Sequence, residues 1–137
     1  MINSAINTNS IYCTLILGYL TSETLLKQEE VKYRHLAIVQ FLKNINDYEL
    51  EGTIGIFEKI DDWDNKTYQK FIVMYKHWDT VPEFAYYSLN KLKSFNMVDK
   101  FHQADGKLGF HVTGDSKYLW ELIKNSGVIE LINHKNL

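Results

Sequence analysis

From Val98 to Thr113, apolar and basic residues alternate with a period of two on both sides of Asp105-Gly106. A helix cannot use such a pattern, because its faces recur about every 3.6 residues, whereas successive strand residues point to opposite faces. Asp-Gly suits the two central positions of a type I′ turn, which both need positive φ. A two-residue turn there pairs Ala104 with Lys107, Gln103 with Leu108, His102 with Gly109, Phe101 with Phe110 and Lys100 with His111. Phe101, Leu108, Phe110 and Val112 then share one face, and Lys100, His102, Lys107, Gly109 and His111 share the other. A slip of one residue would scramble this sorting. The spacing therefore predicts a hairpin with an exposed basic face.

The segment before the hairpin opens with Thr80-Val81-Pro82-Glu83. A hydroxyl at the N-cap, glutamate three residues on and proline in the first turn form a capping box. The helix it starts, over 81–96, has Ala85, Leu89 and Leu92 inward, with Ser88 small enough to lie alongside, and Glu83, Tyr86, Tyr87, Asn90, Lys91 and Ser94 outward, and it ends at Phe95-Asn96-Met97. Further upstream, the first ten residues are small and polar, and a frayed or extended start is expected there. Ile11 to Leu20 reads as a helix. Thr21-Ser22 reads as a break before Glu23 to Ile45, one long helix or two abutting ones with an apolar stripe of Leu26, Val31, Ile38, Leu42 and Ile45. Glu23 is expected in its first turn, where a negative charge suits the helix N-terminus. Thr53 to Ile60 reads as a short helix closed by Asp61-Asp62-Trp63-Asp64-Asn65. Thr67 to His77, with Phe71, Met74, Tyr75 and Trp78, follows helical spacing. Asp115-Ser116 reads as the cap of a last clear helix that stops near Ser126-Gly127, with Val128 to Ile132 left as a tail of undetermined form.

The chain of 137 residues is 45% hydrophobic, enough for one packed domain and too apolar for a disordered segment. No linker, repeat or low-complexity block divides it. Residues 1–50 are expected to be an N-terminal helical, dimer-forming region, 53–124 the core and 125–137 a tail. A single cysteine, Cys13, excludes an internal disulfide framework, and no Cys or His spacing fits a structural zinc. The apolar run Ile11 to Leu20 falls short of the roughly 20 residues a membrane span needs. It also lacks the flanks of a signal peptide, so a soluble cytoplasmic protein is expected. Residues 1–65 carry 5 Lys+Arg against 10 Asp+Glu, and residues 66–137 carry 10 against 7, which together give the net −2. Such an asymmetry fits halves with different partners, or simply two differently solvated surfaces.

Helix, short helix, capped helix, hairpin and helix is the order of a winged helix-turn-helix. The resemblance is carried by residues from Thr53 to Lys124. Ser88-Leu89-Asn90-Lys91-Leu92-Lys93-Ser94-Phe95-Asn96-Met97-Val98 resembles the end of a recognition helix entering a first wing strand. Phe110-His111-Val112-Thr113-Gly114-Asp115-Ser116-Lys117-Tyr118-Leu119 resembles the second wing strand running into the next helix. The spacing is similar to that of MarR-type and PadR-type bacterial regulators. The resemblance implies a mainly α fold with a small β-hairpin, a winged helix-turn-helix core with additional N-terminal helices. Two features depart from that pattern: Asn96 stands where such regulators have glycine, and Arg34 is the only arginine, so the wing has none. Between Thr80 and Lys124 there are 6 lysines against 5 acids, a small basic excess for a surface meant to displace counterions.

No motif resembles an active site. Cys13 lies in an apolar run, the five histidines show no ligand spacing, and no glycine-rich phosphate loop is present. Asp62 and Asp64 lack the glycine and final glutamate of a calcium loop. The chain is therefore expected to be non-enzymatic, without cofactor or metal. Two functions remain. In the first, a homodimeric regulator binds double-stranded DNA through Tyr86, Tyr87, Asn90, Lys91, Lys100, His102, Lys107 and His111, with 81–96 as recognition helix and 98–113 as wing. In the second, a bacterial or phage interaction protein (an immunity protein, antitoxin or inhibitor) meets a basic protein partner through acidic residues 47–64, with Asp61, Asp62 and Asp64 at the contact.

Overall fold

A computed structural model describes the backbone of residues 10–27, 32–58, 70–75, 83–102 and 108–135, and side chains over 10–27, 32–58, 87–99 and 112–135. The described chain is mainly helical. In order it forms α1 (Ile11–Leu26), α2 (Tyr33–Lys43), α3 (Asp47–Glu58), β1 (Lys70–Tyr75), α4 (Glu83–Ser94), β2 (Val98–His102), β3 (Leu108–Val112), α5 (Gly114–Asn125) and α6 (Val128–Lys135). It divides into two compact units, residues 1–47 with 118–137, and residues 48–117.

In the first unit, Ser10 caps α1: its side chain accepts the Cys13 N–H at 3.0 Å and donates to the Asp47 carboxylate. The expected break at Thr21-Ser22 does not occur. The Thr21 and Thr24 hydroxyls donate to the Leu17 and Leu20 carbonyls at 2.9 and 2.8 Å, so their polar groups are satisfied inside the helix. Glu23 is therefore in the fourth turn of α1, paired with Lys27 at 3.0 Å, and does not open a new helix. The second helix begins at Tyr33, and the continuous stripe expected from Leu26 to Ile45 is interrupted: Leu26 is 81% exposed, while Ile38, Leu42 and Ile45 are fully buried. α1 contacts both α2 and α6. Burial on α1 falls on Tyr12, Cys13, Ile16, Leu17 and Leu20. α5 ends as expected: Gly127 has φ +83°, a left-handed position that costs glycine nothing. The tail beyond it is helical, and the Ser126 hydroxyl oxygen accepts the Val128 N–H at 3.3 Å.

α3, all but its first residue in the second unit, begins six residues before the expected Thr53, at Asp47. Leu50, Thr53, Ile54 and Phe57 are buried at helical spacing, so the apolar face extends past Glu51, which interrupts it in sequence. The cluster Asp61 to Asn65 lies outside the described residues. Lys70 to Tyr75 is a strand, which corrects the helix expected over Thr67 to His77. Phe71-Ile72-Val73-Met74-Tyr75 is rich in aromatic and β-branched residues, and a short apolar run of this kind follows the neighbour available to it. That neighbour is β3, paired antiparallel with Lys70 opposite His111 and Phe71 opposite Phe110. The three strands form one sheet in the order β1-β3-β2.

The hairpin exists, but its register differs from the expected one by one residue. Val98 faces Val112, Asp99 faces His111, Lys100 faces Phe110, Phe101 faces Gly109 and His102 faces Leu108. Directly opposed residues of an antiparallel pair share a sheet face. Lys100 and His102 therefore fall on the face of Val98, Leu108, Phe110 and Val112, while Phe101 falls with Asp99, Gly109 and His111. The predicted separation into an apolar and a basic face is overturned. Its physical reason lies at the base. The Met97 carbonyl accepts the Thr113 N–H at 3.2 Å, the Thr113 hydroxyl at 3.1 Å and the Ser116 hydroxyl. Together with the β1 pairing, these bonds set the register from the open end, against the preference of the two-residue turn. The tip itself, Asp105-Gly106, lies outside the described residues.

Candidate nucleic-acid interface

α4 lies within the 81–96 span expected of a reading helix; Thr80, Val81 and Pro82 lie outside the described residues. Its seating follows from its sequence. Ser88, Leu89 and Leu92 are fully buried, and the Ser88 hydroxyl donates to the Glu49 carbonyl of α3 at 2.9 Å. A small hydroxyl residue suits this position because it lets two helices approach and satisfies its own polar atom. The same carbonyl accepts the Thr53 hydroxyl at 2.8 Å.

The end of α4 is a Schellman motif. Met97 N–H reaches the Leu92 carbonyl at 2.8 Å, and Asn96 N–H reaches the Lys93 carbonyl at 3.1 Å. Asn96 occupies the left-handed position at φ 58°, and Leu92 and Met97 are both fully buried beneath the turn. Asparagine thus does what glycine commonly does, and β2 starts directly from this turn.

The outward side of α4 carries Tyr87, 48% exposed, with Asn90 and Lys91 half-buried and Lys93 and Ser94 exposed. Residues 87, 90, 91 and 94 follow helical spacing, opposite Leu89 and Leu92. Lys91 and Lys93 occupy the last turn, where positive charge complements the helix C-terminus. Of the expected contact residues, Tyr87, Asn90 and Lys91 thus lie together on one face. Lys100, His102 and His111 are placed by register on two faces of the hairpin, not one. Asp99 is exposed in β2. The Tyr86 side chain and Lys107 lie outside the described residues, as do Asp61, Asp62 and Asp64.

A second polar cluster was not apparent from spacing, because its members lie far apart in sequence. Arg34 stands over the Tyr118 ring at 5.4 Å, and the His35 ring meets it edge-on at 5.7 Å. His35 is buried, and its Nδ1 accepts the Lys32 N–H at 2.9 Å, completing the N-terminus of α2. Tyr19, Glu23, Lys27, Tyr118 and Glu121 line a shallow groove of about 270 Å³. Burial, then the Glu23 carboxylate, pushes the Tyr19 phenol up, while bonds from Lys27 and Tyr19 draw Glu23 down.

Cys13 is fully buried. Among the described residues, no three His, Cys, Asp or Glu side chains stand close enough to hold a metal ion, and no helix is long and apolar enough to cross a membrane. No family profile, curated protein or solved structure matches the chain.

Proposed function

We propose that the chain is a winged-helix DNA-binding regulator, with α4 as the reading helix and the β2–β3 hairpin as the wing. The single observation that carries the reading is the Tyr87, Asn90, Lys91 and Ser94 face of α4, opposite an apolar side anchored to α3. A helix held from behind presents its outer residues in fixed geometry. Asparagine can bond adenine through both its amide groups, and lysine and tyrosine can bond phosphate. The β1-β3-β2 order and the immediate passage from α4 into β2 support a wing next to that helix. The test is binding to random-sequence duplex DNA over a range of salt concentrations. The expected result is affinity that falls as salt rises, because bound lysines release counterions. Affinity weaker than about 10 μM at low salt, from folded protein, would exclude the reading, since non-specific binders reach the micromolar range even at physiological salt.

A second reading has its own observation. On α3, Tyr48 is 50% exposed, and Glu51 and Glu58 are exposed on the same side. An aromatic among acids is the chemistry of a surface for a basic protein, as the interaction-protein alternative requires. Charge reversal at Asp61, Asp62 and Asp64 would then slow association with that partner, most strongly at low salt, and leave DNA affinity no weaker.

A further inference from the structure

The exposed side of α1 is apolar or small along its whole length. Ile11, Leu15, Gly18, Ser22 and Leu25 follow one another at steps of four, three, four and three, and all five are exposed, as is Leu26 beside them. Exposure is 74% for Ile11, 42% for Leu15, 72% for Leu25 and 81% for Leu26. No charged residue interrupts this seam. A solvated helix face ordinarily carries charges, and a four-three repeat of apolar positions is the spacing by which one helix packs along another. The opposite side of α1, with Tyr12, Cys13, Ile16, Leu17 and Leu20, is already buried. The seam is therefore a second apolar face.

We propose that this face pairs with the same face of a second copy, antiparallel, about a twofold axis at Gly18. The residue sizes make the face complementary to itself. Ile11 and Leu25 each lie seven residues from Gly18, so the axis sets Ile11 of one copy beside Leu25 of the other. Leu15, three residues before the axis, and Ser22 of the other copy, four after it, then lie within one residue's rise of each other, large beside small. At the axis, a Cβ added to Gly18 would meet nothing within 4 Å, so the backbone there is open to approach from outside. Antiparallel packing also sets the two helix dipoles head to tail. Complete burial of these four large residues on both copies would remove at most about 1,000 Å² of surface, the floor for a specific interface. This dimer face is not the Ile38, Leu42 and Ile45 stripe expected from sequence, which the chain buries by itself. It does not depend on what α4 binds.

The test is the mass of the full chain in solution without DNA, by sedimentation at high micromolar concentration. A dimer is expected, and Leu15→Glu should halve the mass while the far-ultraviolet circular dichroism stays helical. Gly18→Cys should link two copies under mild oxidation, because only residues at the axis meet their own counterparts. Ile11→Cys should not link, and the wild type should not, since Cys13 is buried. These cysteine variants keep the test open should Leu15→Glu unfold. A monomer at every concentration would overturn the proposal, as would a dimer unaffected by both Leu15→Glu and Leu25→Glu. Self-linking by Ile11→Cys as complete as by Gly18→Cys would overturn the antiparallel arrangement. A monomer that dimerises only after removal of residues 1–9 would assign the face to the chain's own N-terminal segment and equally overturn it.

Discussion

The hydroxyl of Ser116, in the first turn of α5, donates to the backbone carbonyl of Met97, 19 residues earlier and immediately before β2. Ser116 was expected to cap α5, but Thr113 holds that place, accepting the Ser116 N–H at 3.4 Å. Asp115 lies in the first turn, where its charge suits the helix dipole. The serine side chain is thus free to clamp the base of the hairpin. Ser116→Ala is expected to cost about 1–2 kcal/mol in urea unfolding, because a buried bond is lost while the two Thr113 donors still satisfy Met97. Thr113→Val in the same background should cost more than the two single changes together, since the carbonyl then keeps only one of its three donors.

Asn96 gives a test of opposite sign. At φ 58° a side chain without a local hydrogen-bonding group is strained, so Asn96→Ala should lose about 1 kcal/mol. Asn96→Gly should be as stable as the wild type or more so. Denaturant midpoints of the two variants should lie on either side of the wild type or touch it from above; equal losses would contradict the left-handed cap.

His35 replaces the glutamate or glutamine usual at the third position of a capped helix. His35→Ala should cost about 1 kcal/mol for the lost bond to the Lys32 N–H, with a further loss for its edge contact on Tyr118. The melting temperature reports the change. His35→Gln, which can accept the same hydrogen, should recover part of it.

Titration of the groove on α1 should affect stability at both ends of the pH scale. Glu23 is held below its ordinary value of 4.5 by Lys27 and Tyr19, so its contribution is present above that value and disappears as pH falls through the lowered one. Tyr19 is held above its ordinary value of 10.0, so its contribution is present below that value and is lost as pH rises through the raised one. Glu23→Gln should therefore match the wild type in strong acid and fall behind it towards neutrality, as thermal midpoints across pH would show.

The DNA reading separates two residues of α4 and its hairpin. Asn90→Ala should cost about 1–3 kcal/mol on a preferred sequence and little elsewhere, because base contacts alone carry sequence information. Lys107→Ala should weaken all sequences alike and reduce the salt slope by about one ion. Indifference to both changes in a fluorescence titration would remove α4 and the hairpin from any DNA contact.

Local signals already present in the sequence determined much of this structure. The inward side of α4, its end at Asn96, the stop at Gly127, the helical nature of Ile11 to Leu20 and the existence of a hairpin each rest on interactions spanning a few residues. Periodicity, a left-handed position and a turn can be read without knowing the rest of the chain. What the tertiary structure decided lay where two local preferences competed. Thr21-Ser22 looked like a break, yet the hydroxyls of Thr21 and Thr24 each find a carbonyl four residues back, and the helix continues to Leu26. Lys70 to Tyr75 could satisfy helix or strand spacing, and only the presence of β3 alongside chose the strand. The Asp-Gly turn favoured one register, but Met97 and its three donors at the other end of the hairpin favoured the next. A turn preference of a fraction of the stability of several hydrogen bonds yields to them, and the residues that make those bonds lie up to 19 positions apart. For the same reason the candidate DNA face was legible on α4, where spacing sets the side, and not on the hairpin, where a slip of one residue moves every side chain to the other face.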